Sequence, residues 1–556
     1  MKGNRIASLL IVSILMIAAP VQLFNTVSEA SSDSLRLNPI SDLAYELHDF
    51  IYIDGDVDFA DTALDEDWDG DGSIGNPYII EGYNITTAEY CIRIFSTTAY
   101  FIIRDCYLRP LDEWDSGIYF NDVVNGYVYS CHIDSGDRGM SLYYCFDTIV
   151  ANTLIQCSGI ALDLYECQYN LFANNTFQGG GLSTWTMNED SFLNTFYNNT
   201  VNGLPLGYFR GLSDQTIDGD LYGQVVLASC NNVTVDGGNF HDTWQGPMIF
   251  FSTGCTLENA IVQDCALGVH LMFSPETRIL NNIIRNSNHI GVLSNTSDSV
   301  EIRNNEIYNN PVGIEASEFV FLIIGNNTIH GGYSGIVAFI GGLAEITENR
   351  IYDNSNYGIR LAYWASNATI YDNMLGWNGV SNGYDEETAN LWDDDVSQGN
   401  YWDDYGGVGT YPIPGPGGSV DRYPQVLVDS APPSILSPGD LVFEVGSTGN
   451  VLQWRANDYF PHLYEVLQNE TLFADGQWNS SAEIIEVNVD SLPIGVYNFT
   501  ITFVDRSYQN STDSVLVTVL PDENPPIVNS PNDIAYEQGE SGFNIVWNAT
   551  DANPLL

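Results

Sequence analysis

Aromatic rings beside carboxylates are what a sugar site or a hard-metal site needs, and the sequence gathers them in several places. "LWDDDV" supplies Trp392 and three aspartates, and ten residues on "QGNYWDDYGG" sets Trp402 and Tyr405 against Asp403 and Asp404. A ring gives a flat apolar body to the C–H face of a sugar, and a carboxylate accepts hydroxyl groups or binds a cation. A second cluster, "YFRGLSDQTIDGDLYG", carries Tyr208, Arg210, Asp214, Asp218, Asp220 and Tyr222. A third, "DEDWDGDGSIGN", spaces Asp65, Asp67, Asp69 and Asp71 around Gly70. That is the first half of a calcium loop of the EF-hand type, but Asn76 stands where the bidentate Glu belongs. "VHLMF" puts His270 and Met272 on one strand face, donors that suit copper, although Leu293 follows in the next repeat.

The elements that position these groups are repeats. One asparagine recurs at Asn152, Asn175, Asn199, Asn259, Asn282, Asn305, Asn327, Asn349 and Asn373, in steps of 22 to 24 residues with one gap of 60. Gly238 splits that gap, so the longer unit, which contains the Tyr208–Tyr222 cluster, is an insertion. Cys106 and Cys131 hold the same slot upstream. In step with it runs a glycine ladder, as in "GIYF", "GIAL" and "GVHL", followed by apolar-x-apolar triplets that read as short strands. A leucine-rich repeat would fill the rest of each unit with helical turns and leucine. Here glycine and β-branched residues fill it, as in "HGGYSGIVAFIGG". The sequence therefore predicts an all-β chain whose main part is a right-handed parallel β-helix of about 22-residue coils over 45–425. The asparagines would form a structural ladder in its turns, each in a left-handed backbone and bonded to the coils above and below.

The outward row of such a helix reads Tyr119, Ser141, Ala161, Ser183, Ile249, His270, Leu293, Glu315, Val337, Arg360. It contains no adjacent carboxylate pair of the kind that glycoside hydrolysis uses. A parallel row places Arg278 beside Glu301. Because Asn373 ends the asparagine series, Trp392, Trp402 and Tyr405 fall where the last coil must be closed. The segment 390–425 is predicted to be a cap, with a ligand or calcium site as the alternative.

Composition narrows the partners. The chain has 556 residues, 72 acidic against 16 basic, and its one lysine is Lys2. A net charge of −56 excludes nucleic acid and anionic lipid as partners. Residues 1–30 read as a signal peptide, with a basic start, a short apolar stretch and "SEA" before Ser31. No later run approaches a spanning helix, so the visible chain inserts in no membrane. Nine cysteines lie between Cys91 and Cys265, an odd number that leaves at least one unpaired within the chain.

"NPYIIEGYNI" and "YFIIRDCYL" resemble the first coils of secreted β-helix proteins of the pectin-lyase-like fold. More narrowly, the inserted unit and "NLWDDDVSQGNYWDDYGG" with "VDRYP" resemble the loop coil and closing segment of the NosD-type β-helix family, named for the periplasmic accessory protein of nitrous-oxide reductase. The resemblance implies fold and export, and little about activity. After Gln425 the chain changes: "APPSILSPGDLVFEVGSTGNVLQW" returns 93 residues later as "NPPIVNSPNDIAYEQGESGFNIVW". A unit of that length with a buried Trp454 predicts an immunoglobulin-like sandwich over 431–521 and a truncated second copy over 523–556. The whole reads as an exported, non-catalytic surface protein for glycans or other envelope proteins, with calcium as a possible cofactor. Its alternatives are a carbohydrate-active enzyme of the pectin-lyase-like fold and a copper accessory protein.

Overall fold

The computed structural model describes residues 45–112, 114–522 and 526–550; the expected signal peptide, 1–30, and residues 523–525 and 551–556 of the expected second copy lie outside them. The chain is all-β with very little helix, and its main body is a β-solenoid of about 16 coils. Each coil contributes a strand to each of three parallel stacks. In the first block the first stack is Ile51–Asp54, Ile92–Thr97, Ser116–Val123, Arg138–Tyr143, Ile160–Tyr165 and Leu182–Thr184. Alternation works as the pattern requires: Ile92, Ile94, Ile118, Phe120, Met140, Leu142, Leu162 and Leu164 fill the interior, and the residues between them face out.

The N-terminal end is closed by an element that the sequence reading missed. Asp56–Asp65 is an α-helix whose Phe59 and Ala63, four residues apart, turn into the core. Phe59 stacks on Tyr78 with centroids 4.7 Å apart. The Asp56 carboxylate accepts from Thr97 Oγ1 at 2.7 Å, Thr98 N at 2.7 Å and Thr98 Oγ1 at 2.9 Å, which fixes the helix start on the second coil.

The insertion divides the solenoid into two blocks. Val225 and Leu227 belong to the core of the second block, whereas Val226, Ala228, Met248, Phe250 and Met272 belong to the core of the first. The strands Gln224–Ala228, Met248–Phe250 and Leu267–Met272 are thus buried on both faces, and the side wall of the second block closes the open end of the first. Two glutamines complete the seam. Gln224 accepts from Leu182 N (2.9 Å) and donates to Leu182 O (2.8 Å); Gln245 does the same with Thr184 N (3.0 Å) and O (3.2 Å). A primary amide reproduces the donor and acceptor of a peptide, so these side chains stand in for the missing neighbour strand.

The asparagine ladder is real but holds different members. The amide of Asn282 donates to Asn305 Oδ1, Asn305 to Asn327 and Asn327 to Asn349, each at 3.0 Å, then Asn349 to Asn373 at 2.9 Å and Asn373 to Asn400 at 2.8 Å. Asn175 and Asn199 form the same bond in the first block. Asn152 and Asn259 are exposed and stand one residue early; Thr153 and Ala260 occupy their slots. The left-handed residue is not the ladder residue but the one before it, as at Asn281 (φ 58), Asn304 (φ 59) and Asn326 (φ 52). The two roles divide because a buried amide must face the core while the turn residue faces water. Asn327→Ala is expected to cost at least about 2 kcal/mol, since it strands the Asn305 amide and backbone N–H inside the core. Asn259→Gly, which keeps the positive φ, should stay within about 0.5 kcal/mol of the parent in urea unfolding.

The cap carries the ladder's last rung, Asn400. Trp392 and Trp402 are fully buried in the second core. Their indoles donate to Asp385 Oδ2 (3.0 Å) and Asp421 Oδ2 (2.9 Å), and Tyr411 stacks over Trp402 at 4.0 Å. All nine cysteines are free thiols; burial pushes Cys91 up to about 12 and Cys255 to about 11, which keeps those two as protonated core groups.

Residues 434–520 form two sheets, one of three strands and one of five, around a core with Trp454 and Trp478 fully buried. This module sits against the third stack of the second block. Arg506 Nη2 meets Asp353 at 3.1 Å, Phe460 packs on Tyr352 and Trp377, Arg350 lies over Tyr459, and Ser480 bonds Glu306. In the second copy Trp547 is exposed, and the strands there, Ile527–Val528 and Ala549–Thr550, have two residues each.

Candidate functional site

The outer face of the first stack in the first block gathers most of the chemistry. Strand register aligns Tyr52, Arg93, Tyr119, Ser141, Asp163 and Ser183 in one row, and Asp54, Phe95, Asn121, Tyr143 and Tyr165 in the next. Five strands at the spacing of a paired sheet make a strip about 19 Å long. Its rings touch in sequence: Tyr52–Phe95 at 5.8 Å, Phe95–Tyr119 at 5.7 Å, Tyr119–Tyr143 at 5.4 Å and Tyr143–Tyr165 at 5.9 Å. The Arg93 guanidinium lies 4.7 Å from the centre of Phe95, 4.9 Å from Tyr90 and 5.3 Å from Tyr119. Its Nε has no hydrogen-bond partner. At the other end Asp163 accepts from Tyr143 Oη (3.0 Å) and Arg138 Nη1 (3.3 Å), and Arg138 also reaches Asp137 (3.7 Å). Burial raises the Asp163 pKa, opposed by those two donors.

The sequence reading of this row was wrong at two points. Ala161 is not outward: it pairs with Gly139, and the residue beside Ser141 is Asp163, because Gly159 stands two residues ahead of its ladder slot. Ile249 is likewise in the core; Met248 is the neighbour of His270. The signal was available in "GIALDLY", where the alternation Ile-x-Leu-x-Leu fixes Asp163 opposite the leucines. Arg278 and Glu301 are register partners as expected, although Glu301 holds Arg303 at 2.6 Å.

The other expected sites separate. In the insertion, Tyr208 packs on Phe196 at the first core while Tyr222 packs on Phe209 at the second, so the tyrosines do not share a face. Arg210 is exposed; Asp214 accepts from Asn232, Asp218 caps a short turn, and Asp220 accepts from Gly238 N. In the cap, Trp402 offers no open ring. Asp403 is engaged with Asn382 and Trp377 N, Asp404 with Tyr411, and Tyr405 with Gly409 O. Asp65 ends the helix, Asp67 takes a left-handed turn, and Asp71 caps Ser73. Among the described residues, the trio of metal-ligating acids whose ligand atoms lie within 4.8 Å of one another is Asp429, Asp458 and Asp505, none of which the sequence reading singled out. Nor did it find the cleft of about 460 Å³ between the second block and the C-terminal module, lined by Glu306, Arg350, Tyr459 and Asp458 among others.

His270 is completely buried and held neutral, its pKa driven down to about 3 by burial. Its Nδ1 bonds Gln245 Nε2 at 3.0 Å, its Nε2 has no partner, and Trp185 lies 4.7 Å from the ring. Met248 and Met272 occupy the same face, one on the neighbouring strand and one two residues along.

A family described as "Periplasmic copper-binding protein (NosD)" matches residues 224–407, and one described as "Right handed beta helix region" matches 68–201. The two matches meet at the insertion that divides the blocks. Among solved structures, the A-module of a mannuronan C-5 epimerase from Azotobacter vinelandii is 12% identical, over 65% of this chain and 97% of its own, with TM-score 0.28. A tailspike protein of bacteriophage CBA120 is 10% identical over 76% and 72%, with TM-score 0.23. PfbA, a surface adhesin of Streptococcus pneumoniae, is 12% identical over 51% and 84%, also at 0.23. Likenesses this distant assign no residue a role. Among the described residues no helix is long and apolar enough to cross a membrane.

Proposed function

The chain belongs to the NosD-type right-handed β-helix repeat proteins, and from that premise we propose that it is an exported, non-catalytic glycan-binding protein whose ligand lies along the aromatic strip of the first block. The observation that carries this reading is the run Tyr52–Phe95–Tyr119–Tyr143–Tyr165, with Arg93 and Asp163 flanking it. Aromatic faces stack on the C–H faces of successive sugars, and the strip's length matches an extended oligosaccharide of a few units. The Arg93 guanidinium, held among the rings, supplies a positive charge for hydroxyl or carboxylate groups. Binding is favoured over turnover because the Asp163 carboxylate is already held by Arg138 and Tyr143, where a general base must be free to take a proton. The two-sheet module over 431–521, with Trp454 at its centre, is read as immunoglobulin-like, a spacer for the solenoid. The test is a glycan array run beside reducing-sugar and unsaturated-product assays on the same glycans. Binding without product supports the reading; product that disappears in Asp163→Asn makes the chain a carbohydrate-active enzyme instead.

A second reading, copper delivery, is favoured by the unpartnered His270 Nε2 with Met248 and Met272 on its face. Imidazole and thioether donors suit Cu(I), and coordination through Nε2 requires the Gln245 amide, which now donates to Nδ1 and so leaves the ring proton on Nε2, to release the ring. Anaerobic Cu(I) competition with a chromogenic chelator tests it: a stoichiometric site lost in His270→Gln supports delivery, and no uptake by the parent chain removes it.

A further inference from the structure

The carboxylates of Asp429, Asp458 and Asp505 come from three separate segments: the linker after the solenoid cap, the residue following the strand Val451–Asn457, and the last residue of Gly495–Asp505. Their ligand atoms all lie within 4.8 Å of one another. Asp505 is completely buried, yet its Oδ2 has no hydrogen-bond partner, and the same is true of Asp429 Oδ2. Two further oxygens are committed in a way that orients the group: Asp505 Oδ1 accepts from Gln509 N (2.8 Å) and Asp458 Oδ1 from Phe460 N (2.8 Å). Gln509 Nε2 donates to Asp429 O (2.9 Å), which fixes the linker beside the cluster. Among the described residues no basic side chain forms an ion pair with any of the three. Arg506, next in sequence, turns its guanidinium to Asp353 (3.1 Å) and His462 (3.2 Å).

Two buried carboxylate oxygens without a donor carry a desolvation cost that a bound cation removes. The donor set is all oxygen, which excludes soft metals. Three carboxylates drawn from separate segments suit calcium, which takes oxygen ligands at about 2.4 Å in irregular geometry, better than magnesium, which demands a near-ideal octahedron at about 2.1 Å and keeps most of its waters. We propose that Asp429, Asp458 and Asp505 hold one Ca²⁺, which clamps the linker onto the C-terminal module and stiffens its joint with the solenoid. The clamp extends to the solenoid through Phe460, two residues after Asp458, which packs on Tyr352 and Trp377.

The test uses the full chain. Calorimetric titration with Ca²⁺ after chelation should show one site, weakened at least tenfold in Asp458→Asn and in Asp429→Asn, and unchanged in Asp69→Asn. Limited proteolysis of the linker at 427–433 should slow about tenfold on adding Ca²⁺ to the parent chain and not to Asp458→Asn. Circular dichroism of each variant confirms that it folds. No binding at millimolar Ca²⁺, or binding that survives both linker-cluster variants, overturns the proposal. Binding lost in Asp69→Asn instead places the ion at the N-terminal acidic turn and overturns it as well.

Discussion

Trp402→Ala is expected to destabilise the second block by about 3–5 kcal/mol, the range for deleting a fully buried tryptophan. The indole is enclosed by Trp392, 6.0 Å away, and by Tyr411, and its N–H satisfies Asp421. Asp421 also accepts from Asn400 N, so the loss reaches the last rung of the asparagine ladder. A solenoid's coils support only their neighbours, and an uncovered end lets the terminal coils fray. Urea unfolding followed by tryptophan fluorescence should show an early transition in Trp402→Ala that Trp402→Phe largely suppresses. A sugar or metal site at Trp402 would instead leave stability nearly unchanged in both.

The second large effect is acid lability through two buried histidines. His270 is held down to about 3 and His330 to about 4, both chiefly by burial. His330 is sandwiched between Tyr308 (5.3 Å) and Tyr352 (4.6 Å). The folded pKa lies below the unfolded value of about 6.5, so between those limits the unfolded chain binds a proton that the folded chain refuses. Stability is therefore full above pH 6.5 and falls as the pH drops; at pH 4 His270 alone contributes a loss of about 3 kcal/mol. Carboxylates with raised values, such as Asp458 at about 6, act in the opposite direction, because the folded state takes up their proton first. The clean measurement is a difference: the stability of the parent minus that of His270→Gln should fall by about 3 kcal/mol between pH 7 and pH 4. A difference independent of pH would mean that His270 titrates as it does in the unfolded chain, exposed to water.

The solenoid was legible because its constraint repeats. Twenty-two-residue spacing, glycine turns and period-2 alternation are local signals, and each coil restates them. What failed were single-residue registers. Asn259 and Asn282 sit in the same apparent motif, "ENAI" and "NNII", yet one is an exposed turn residue and the other a buried rung, because the asparagine pair in "NNII" supplies both roles and "ENAI" only one. Gly159 looked like a ladder glycine and hid Asp163 by two positions. The division into two blocks left no local signal beyond the insertion's length. Val225 and Val226 are alike in sequence and differ only in which core each enters. Gln224 and Gln245 carry no local mark of the seam they complete. The trio Asp429, Asp458 and Asp505 is scattered over 77 positions and converges only through the sheet topology of the C-terminal module. Aromatic-acid clusters in the linear sequence marked the cap, where the rings are consumed by packing. The open aromatic strip is assembled across coils, one ring per strand, and no short window contains it.

Glycan binding by this chain stands on that strip. Its most direct test is one glycan array probed with the parent chain, with Tyr119→Ala/Tyr143→Ala and with Trp402→Phe. The parent is expected to bind a defined set of glycans, the double variant to lose at least tenfold in affinity for all of them, and Trp402→Phe to bind as the parent does. Equal binding by the parent and the double variant would contradict the central claim.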